Sequence, residues 1–521
     1  METILVQIYK KEMKLPFLGQ FLFTLIPFLL ILYILISKFS PKSINSHLPP
    51  SPKKLPVLGH MHLLGKYPHR SLRSLAQKHG PMMMLQLGSV QTLVVSSPET
   101  AQEIMKTHDL SFANRPESEI ARKLLYNLKS LSVAPYGEYW RQLKSTCVLQ
   151  LLSNKRVQSN YHIRSEETEL LIDKIRASDG LVNLSDMFMV LTNDVICRSS
   201  FGRKYSEGES GKKFKEIMSE FICVLGGFDF GTFLPWLGWI DHVNGLNGKV
   251  KRIGQKLDEF FEGVLEEHWN ADKKFDDGKT GQDFADVLLE IYRNNNNVSA
   301  GNSIDRDSVK ALLLDIISGG TDTTYTVLEW AMTELLRHPT AMKNLQMEVR
   351  TILTNGKSEI SEKDLEKMNY LKAVIKETLR LHPPTPLLVP REAINHTKVM
   401  GFDIPAKTMV IINAFAIGRD PISWDDDPEE FRPERFLKHN SGVDFRGHDF
   451  QLIPFGAGRR GCPGISFAMA TIETVLANLM VWFDWSLPNG EDEGLDLDMT
   501  ECPGVTIHKK IPLYAVATPT N

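Results

Sequence analysis

Residues 455–464 read Phe-Gly-Ala-Gly-Arg-Arg-Gly-Cys-Pro-Gly and set one cysteine, Cys462, in a glycine-rich loop that also carries arginine. An apolar run comes next, Ile465 to Ala470 and then Ile472 to Leu479, long enough for a buried helix. Backbone N–H groups and the start of that helix would stabilise negative charge on the sulfur. The loop glycines let the chain bend and come close to a flat partner. A thiolate held in this way is placed to be the single axial ligand of a heme iron, and Arg460 to pair with a heme propionate. An ordinary glycine-rich turn with a passive cysteine fits the bare Gly-x-Arg-x-Cys part equally well.

A second constellation lies upstream. Residues 316–324 read Ile-Ile-Ser-Gly-Gly-Thr-Asp-Thr-Thr inside a helical pattern running from Val309 to Leu336. Two adjacent glycines in a helix interior cost about 1 kcal/mol each relative to alanine, so something must gain from their missing side chains. Close approach of a flat cofactor and a bound diatomic is one explanation; a tight helix–helix crossing is the other. Asp322 and Thr323 then stand where a hydroxyl and water could pass protons. Glu-x-x-Arg occurs six times, starting at 119, 138, 290, 334, 377 and 429. The copy at Glu377 and Arg380 is distinguished by its context, Lys-Glu-Thr-Leu-Arg-Leu-His-Pro-Pro, where two prolines end the helix.

The full string Phe455-x-x-Gly458-x-Arg460-x-Cys462-x-Gly464 resembles the heme-binding signature of cytochrome P450 at every fixed position. Residues 319–324 resemble that family's oxygen-activation motif, with Gly319 where alanine is commoner. The resemblance makes Cys462 the iron ligand and Asp322 and Thr323 the proton-supplying pair. It makes Glu377 and Arg380 two members of a buried triad, completed by Arg435 of Phe431-Arg-Pro-Glu-Arg-Phe436, that locks the cysteine loop. Trp140-Arg141-Gln-Leu-Lys144 looks like the family's propionate-contacting helix, with Lys144 in place of arginine; the charge is kept and the bidentate fork lost. Trp140, Arg141, Lys144, Arg391, Phe455, Arg460 and Gly464 are therefore the expected heme contacts besides Cys462. By the same resemblance the cavity walls come from 112–135, 312–323, 385–389 and 501–505.

Residues 450–464 and 323–339 are similar to the plant microsomal type, in the A-type clan of specialised metabolism whose members oxidise terpenoids, coumarins and indole alkaloids. That likeness implies heme b, oxygen, and electrons from NADPH through NADPH–cytochrome P450 reductase, with cytochrome b5 as a possible second donor. The implied reaction is hydroxylation, epoxidation or oxidative cyclisation of a lipophilic metabolite. Two other readings share the motifs: a heme-thiolate isomerase or dehydratase working without a reductase, and a non-catalytic membrane heme binder. The intact Asp322–Thr323 pair speaks against the isomerase.

Other elements must position these residues. The 521-residue chain can bury a large core, and a net charge of −3 leaves no nucleic-acid footprint. Its five cysteines are scattered and odd in number, as in a reducing compartment. Residues 1–16 form a short tail. From 17 to 37 the chain lacks charge over about 30 Å of helix, which predicts a single transmembrane anchor. Residues 38–59, rich in proline, predict a stiff hinge. From 60 to 521 neither a linker nor a repeat divides the chain, so one mainly α domain with small β-sheets is expected, the cytochrome P450 fold by resemblance. Short strands are predicted at 82–87, 91–96 and 410–412, and helices at 309–336, 371–381 and 467–481. An aromatic segment, 221–239, is either a core loop or an apolar lip that touches the bilayer. The resemblance sets the whole at the endoplasmic reticulum membrane, single-pass, with the catalytic domain in the cytosol and the sequons at Asn183, Asn297 and Asn395 unmodified.

Overall fold

A 32-residue helix, α8 (Arg306–Arg337), is about 48 Å long and runs through the centre of the molecule. Asp305 caps it by accepting from the Ser308 N–H at 2.9 Å. Its residues are buried on nearly every side, which explains why the sequence shows apolar character there without a single stripe. The structure is a computed structural model and describes residues 47–520 apart from 271–281, 296–303, 354–359, 425–426, 439 and 489–496, together with 25–27 and 29. The predicted tail and nearly all of the predicted anchor and of the hinge before residue 47 lie outside the described residues.

Around α8 pack α4 (Leu184–Phe201), α10 (Asn369–Leu381) and α11 (Ile465–Trp482). Preceding helices are α1 (Pro68–His79), α2 (Glu138–Thr146) and α3 (Tyr161–Arg176); α5 (Gly208–Leu225), α6 (Leu246–Asn270), α7 (Phe284–Asn295) and α9 (Pro339–Leu353) complete the shell. α11 is long and apolar enough to cross a membrane by composition, yet 61% of that window is buried against α3, α8 and α9. It is the floor beneath the cysteine loop.

Strands β1 (Met82–Leu87) and β2 (Val90–Val95) form a hairpin, and β7 (Met409–Ile412) adds to β2 in parallel, with Val95 opposite Ile412. β4 (Arg391–Glu392) closes that sheet, with Arg391 opposite Val410. A second sheet has the order β3 (Leu181–Asn183), β9 (Tyr514–Pro519), β8 (Phe483–Ser486); β5 (Thr397–Val399) and β6 (Phe402–Ile404) form a separate hairpin. The predicted strands and long helices all form, each within three residues of its expected ends.

The described part of the proline-rich segment packs against the body of the molecule. Met84 N–H donates to Pro50 O at 2.9 Å, His60 Nδ1 accepts from Gln86 N–H at 2.7 Å, and His47 stacks on Phe402 at 4.8 Å. Gly59 has φ +62°, and a Cβ there would lie 2.1 Å from Gln86 O. These contacts seat residues 50–60 on the first sheet and His47 on the β5–β6 hairpin. The aromatic segment docks too: Ser89 N–H donates to Phe233 O at 2.7 Å and Leu234 is buried, while Trp236, Trp239 and Val243 remain exposed.

Two π-turns, Glu103–Thr107 and Cys147–Leu151, end the short helix Pro98–Gln102 and α2. Each turns one residue, Met105 or Cys147, into the wall of the central cavity.

Glu377 and Arg380 on α10 form a bidentate pair at 2.7 and 2.8 Å, and Arg435 donates from Nε to Glu377 at 2.9 Å. The remaining guanidinium hydrogens reach carbonyls: Gly418, Pro428 and Glu430 for Arg380, and Trp424, Asp427 and Glu430 for Arg435. All three side chains are essentially out of solvent. Glu377→Ala would leave two buried cations without their counter-charge, and the expected loss is about 3–5 kcal/mol of stability. The denaturation midpoint checks this; an unchanged midpoint would contradict it.

Glu501 is not a cavity wall residue. It accepts from Arg70 at 2.8 and 2.9 Å and faces His69 at 3.0 Å. Burial pushes its carboxyl up, but the His69 and Arg70 bonds outweigh this and bring it down to about 2. An unfolded glutamate titrates near ~4.3. A depressed carboxylate stabilises the fold above its unfolded value and loses that contribution as pH falls toward the folded one. The stability gap between the native chain and Glu501→Gln should therefore be full at about pH 6 and shrink steadily below ~pH 4.3. A gap that stays constant would show that the charge is not what matters.

Candidate active site

The cysteine loop is built by its own backbone. Cys462 N–H donates to Phe455 O at 3.0 Å, and Gly464 N–H donates to Cys462 Sγ at 3.3 Å. Gly458, at φ +65°, packs where a Cβ would fall 2.3 Å from Met105 O on the first π-turn. The surface that Cys462 exposes opens onto the internal cavity, not onto bulk water. Burial raises the thiol's pKa, while the Gly464 N–H and the Lys144 ammonium act against that rise. A cation at the sulfur would tip the balance to the thiolate.

The cavity measures about 310 Å³. On one side it meets Phe455, Gly456, Cys462, Pro463, Gly464 and Phe467; on the other it meets α8 at Leu312, Ile316, Gly319, Gly320 and Thr323. It is thus a slot between a sulfur and a nearly side-chain-free stretch of helix. Leu388, Val389 and Ile412 add apolar wall, and no residue of 501–505 lines it. That expectation fails because Glu501 anchors its segment to α1.

At the rim the slot is cationic. Arg460 donates to Ala113 O at 2.7 Å, Ala134 O at 2.5 Å and Leu131 O at 3.3 Å, and its guanidinium lies 4.3 Å from the Trp140 ring. Arg115 donates to Ser132 O at 2.9 Å, Val389 O at 2.5 Å and Pro390 O at 2.7 Å. Arg391 meets Asp109 at 3.1 Å and Ala457 O at 2.6 Å. Lys144 donates to Gly461 O at 2.7 Å. Among the described residues, Arg115 and Arg460 have carbonyls but no carboxylate partner. Burial and the neighbouring Arg391 push Arg460 down to about 9. Burial, then Arg460 and Arg391, push Arg115 well down too. Cations so placed call for an anion in the slot.

A flat metal-bearing macrocycle with two carboxylates would meet all three demands: the thiol, the slot and the rim. Residues 49–513 match the family model Cytochrome P450. The chain belongs to the cytochrome P450 family. It is 56% identical to Cytochrome P450 71A8 of Mentha piperita over 493 residues, 94% of each chain. It is 54% identical to Cytochrome P450 736A117 of Prunus mume over 508 residues, 96% of each. With Norfluorocurarine oxidase of a Strychnos species it shares 49% over 503 residues, 94% of this chain and 97% of that one. A solved zebrafish cytochrome P450 with abiraterone superposes with a TM-score of 0.73 at 25% identity, covering 87% of this chain and all of that one. The P450 is therefore a heme-thiolate monooxygenase of the plant clan that the sequence resembles.

The structure brings together Cys462, Phe455, Gly464, Arg460, Arg391, Trp140 and Lys144 at one end of the cavity. It does not bring in Arg141, which is exposed. One residue along α2 from Trp140 turns a side chain by about 100°, away from the slot. Thr323 lines the cavity, its hydroxyl donating to Gly319 O at 2.6 Å, but Asp322 faces the other way. Arg115 and Asp109 were missed by sequence reasoning. Asn114-Arg-Pro116 carries no spacing relation to Cys462, and only the fold joins them.

The two glycines of α8 have different reasons to be glycine. A Cβ on Gly319 would meet nothing within 4 Å, whereas one on Gly320 would lie 2.9 Å from Ile196 Cδ1 on α4. The helix-crossing explanation holds at Gly320, whereas Gly319 faces the open cavity. Gly319→Ala should gain up to about 1 kcal/mol of helix stability while narrowing the cavity. Gly320→Ala should offset that gain with about 1–3 kcal/mol of overpacking. Thermal melts should therefore rank Gly319→Ala above Gly320→Ala; the reverse order would refute the assignment.

Proposed function

We propose that this P450 oxidises a medium-sized lipophilic plant metabolite, with electrons delivered from NADPH by NADPH–cytochrome P450 reductase. The observation that carries the reading is the slot itself: Cys462 on one wall, Gly319 and Thr323 on the other, a cationic rim at one end, and mostly apolar side chains over the rest, with Asp315 among them. An alkaloid or terpenoid substrate suits such walls, and the Strychnos relative carries an alkaloid oxidase name.

In this reading Cys462 would ligate the heme iron, and Arg115, Arg391, Arg460 and Lys144, with Trp140 behind them, would hold the propionates. When bound, the heme supplies oxygen activation at iron. The chain supplies the rest. Leu312, Ile316, Leu388 and Val389 press the substrate toward the sulfur side and exclude water. The Thr323 hydroxyl and the Asp322 carboxyl hold and move protons beside the cavity. The Glu377–Arg380–Arg435 triad keeps the segment before the cysteine loop in register.

Residues 17–37 would anchor the enzyme as a single span in the endoplasmic reticulum membrane, with 38–59 as the hinge and the catalytic domain in the cytosol. The exposed Trp236 and Trp239 suit a bilayer surface, and cytochrome b5 would be an accessory donor.

The dithionite-reduced, carbon monoxide-treated protein tests the ligand. A strongly red-shifted Soret band is expected, and its loss in Cys462→Ala; a band that survives the substitution would remove Cys462 from its role. NADPH-dependent turnover of an alkaloid or terpenoid panel with reductase tests the reaction. Conversion of substrate without reductase would favour the isomerase instead.

A further inference from the structure

The Asp322 carboxyl is buried yet does not line the cavity that its neighbour Thr323 lines. Its Oδ2 instead accepts the hydroxyl of Thr506, a buried residue 184 positions later in the C-terminal loop. Independent bonds pin that loop to the back of α8. Trp330 Nε1 donates to Ile507 O at 2.9 Å, Lys509 N–H donates to Glu329 at 2.9 Å, and Ile507 N–H donates to Pro384 O at 2.8 Å. Thr506 therefore sits in a fixed frame, with its hydroxyl aimed at one carboxylate.

We propose that Thr506 is a positioning residue for Asp322: its hydroxyl holds the carboxyl behind the central helix and sets how readily it carries charge or turns toward the cavity. This rests on the proposed function, in which Asp322 moves protons. An aspartate has only two side-chain torsions, so one bond to a rigid loop is enough to select its rotamer. The bond also favours the ionised form, against the desolvation that pushes this carboxyl up. The other titratable groups facing this site are His508, Cys502 and Lys509 on the loop and Tyr325 and Glu329 on α8. Of these, His508 acts to lower the carboxyl, and among the described residues its Nδ1 is buried without a hydrogen-bond partner.

The test uses the heme-loaded full chain as wild type, Thr506→Val, Thr506→Ser and Asp322→Asn. The infrared carbonyl band of Asp322, identified by its absence in Asp322→Asn, is followed against pH. Thr506→Val should raise the midpoint by about one pH unit or more, and Thr506→Ser should restore it. Thr506→Ala replaces the valine variant if that protein does not accumulate. A midpoint that does not move in the variant lacking the hydroxyl would overturn the proposal, as would a serine variant that fails to rescue. In parallel, hydrogen peroxide released per NADPH consumed should rise about threefold or more in Thr506→Val, toward the value of Asp322→Asn. Should Asp322→Asn leave that ratio unchanged, the proton-supply reading fails, while the infrared shift still decides whether Thr506 positions the carboxyl.

Discussion

A guanidinium taken out of water must find an acceptor for its N–H groups or the fold loses several kcal/mol. The cysteine side of this P450 is organised around that demand. Arg380 and Arg435 are satisfied by Glu377 and a ring of carbonyls from the segment that precedes the cysteine loop. Arg115 and Arg460 are satisfied by carbonyls of 113, 131, 132, 134, 389 and 390. Each of those carbonyls belongs to irregular backbone that has no partner in a sheet or helix ladder. The arginines thus do for these loops what hydrogen-bonded ladders do elsewhere. Their net charge in turn defines what the slot accepts.

The same economy explains the division of polarity within the cavity. Positive charge gathers at the end where the loops converge, beside Cys462. Away from it the walls are mainly leucine, isoleucine, valine and proline from α8, from 384–389 and from β7, with Asp315, Thr323, Thr324 and Thr385 as the polar points. One end suits a flat dianion and the other an apolar guest. A substrate is then oriented mainly by shape and by exclusion of water, since few polar groups are available to hold it.

How much of this was legible in the sequence varied with the range of the interaction. The cysteine loop is ten contiguous residues whose geometry is local, and it folds as its glycines and arginines suggest. Periodicity marked α8, α10 and α11, because long buried helices leave long apolar patterns. Glu377 and Arg380 share one helical turn, and Arg435 needed the family likeness. Arg115 and Asp109 escaped notice because their partners lie on other segments of the chain. The motif puts Asp322 in the helical turn that borders the cavity, and the structure aims its carboxyl at Thr506 behind that turn, since motif proximity says nothing of which way a side chain points. The likeness puts residues 501–505 in the wall, and the Glu501 bonds to α1 draw them elsewhere.

The two π-turns bear on how this scaffold tolerates changes of length. A π-turn holds one residue more than the α-turn it replaces, at the expense of a hydrogen bond. Removing one residue from 103–107 or 147–151 would let the helix close normally and would rotate the downstream chain by about 100°. The helix would be regular and more stable in isolation, but Met105 or Cys147 would leave the wall. These two turns are thus points where chain length, cavity shape and packing are tied together, because Met105 and Cys147 belong to the core as well as to the wall.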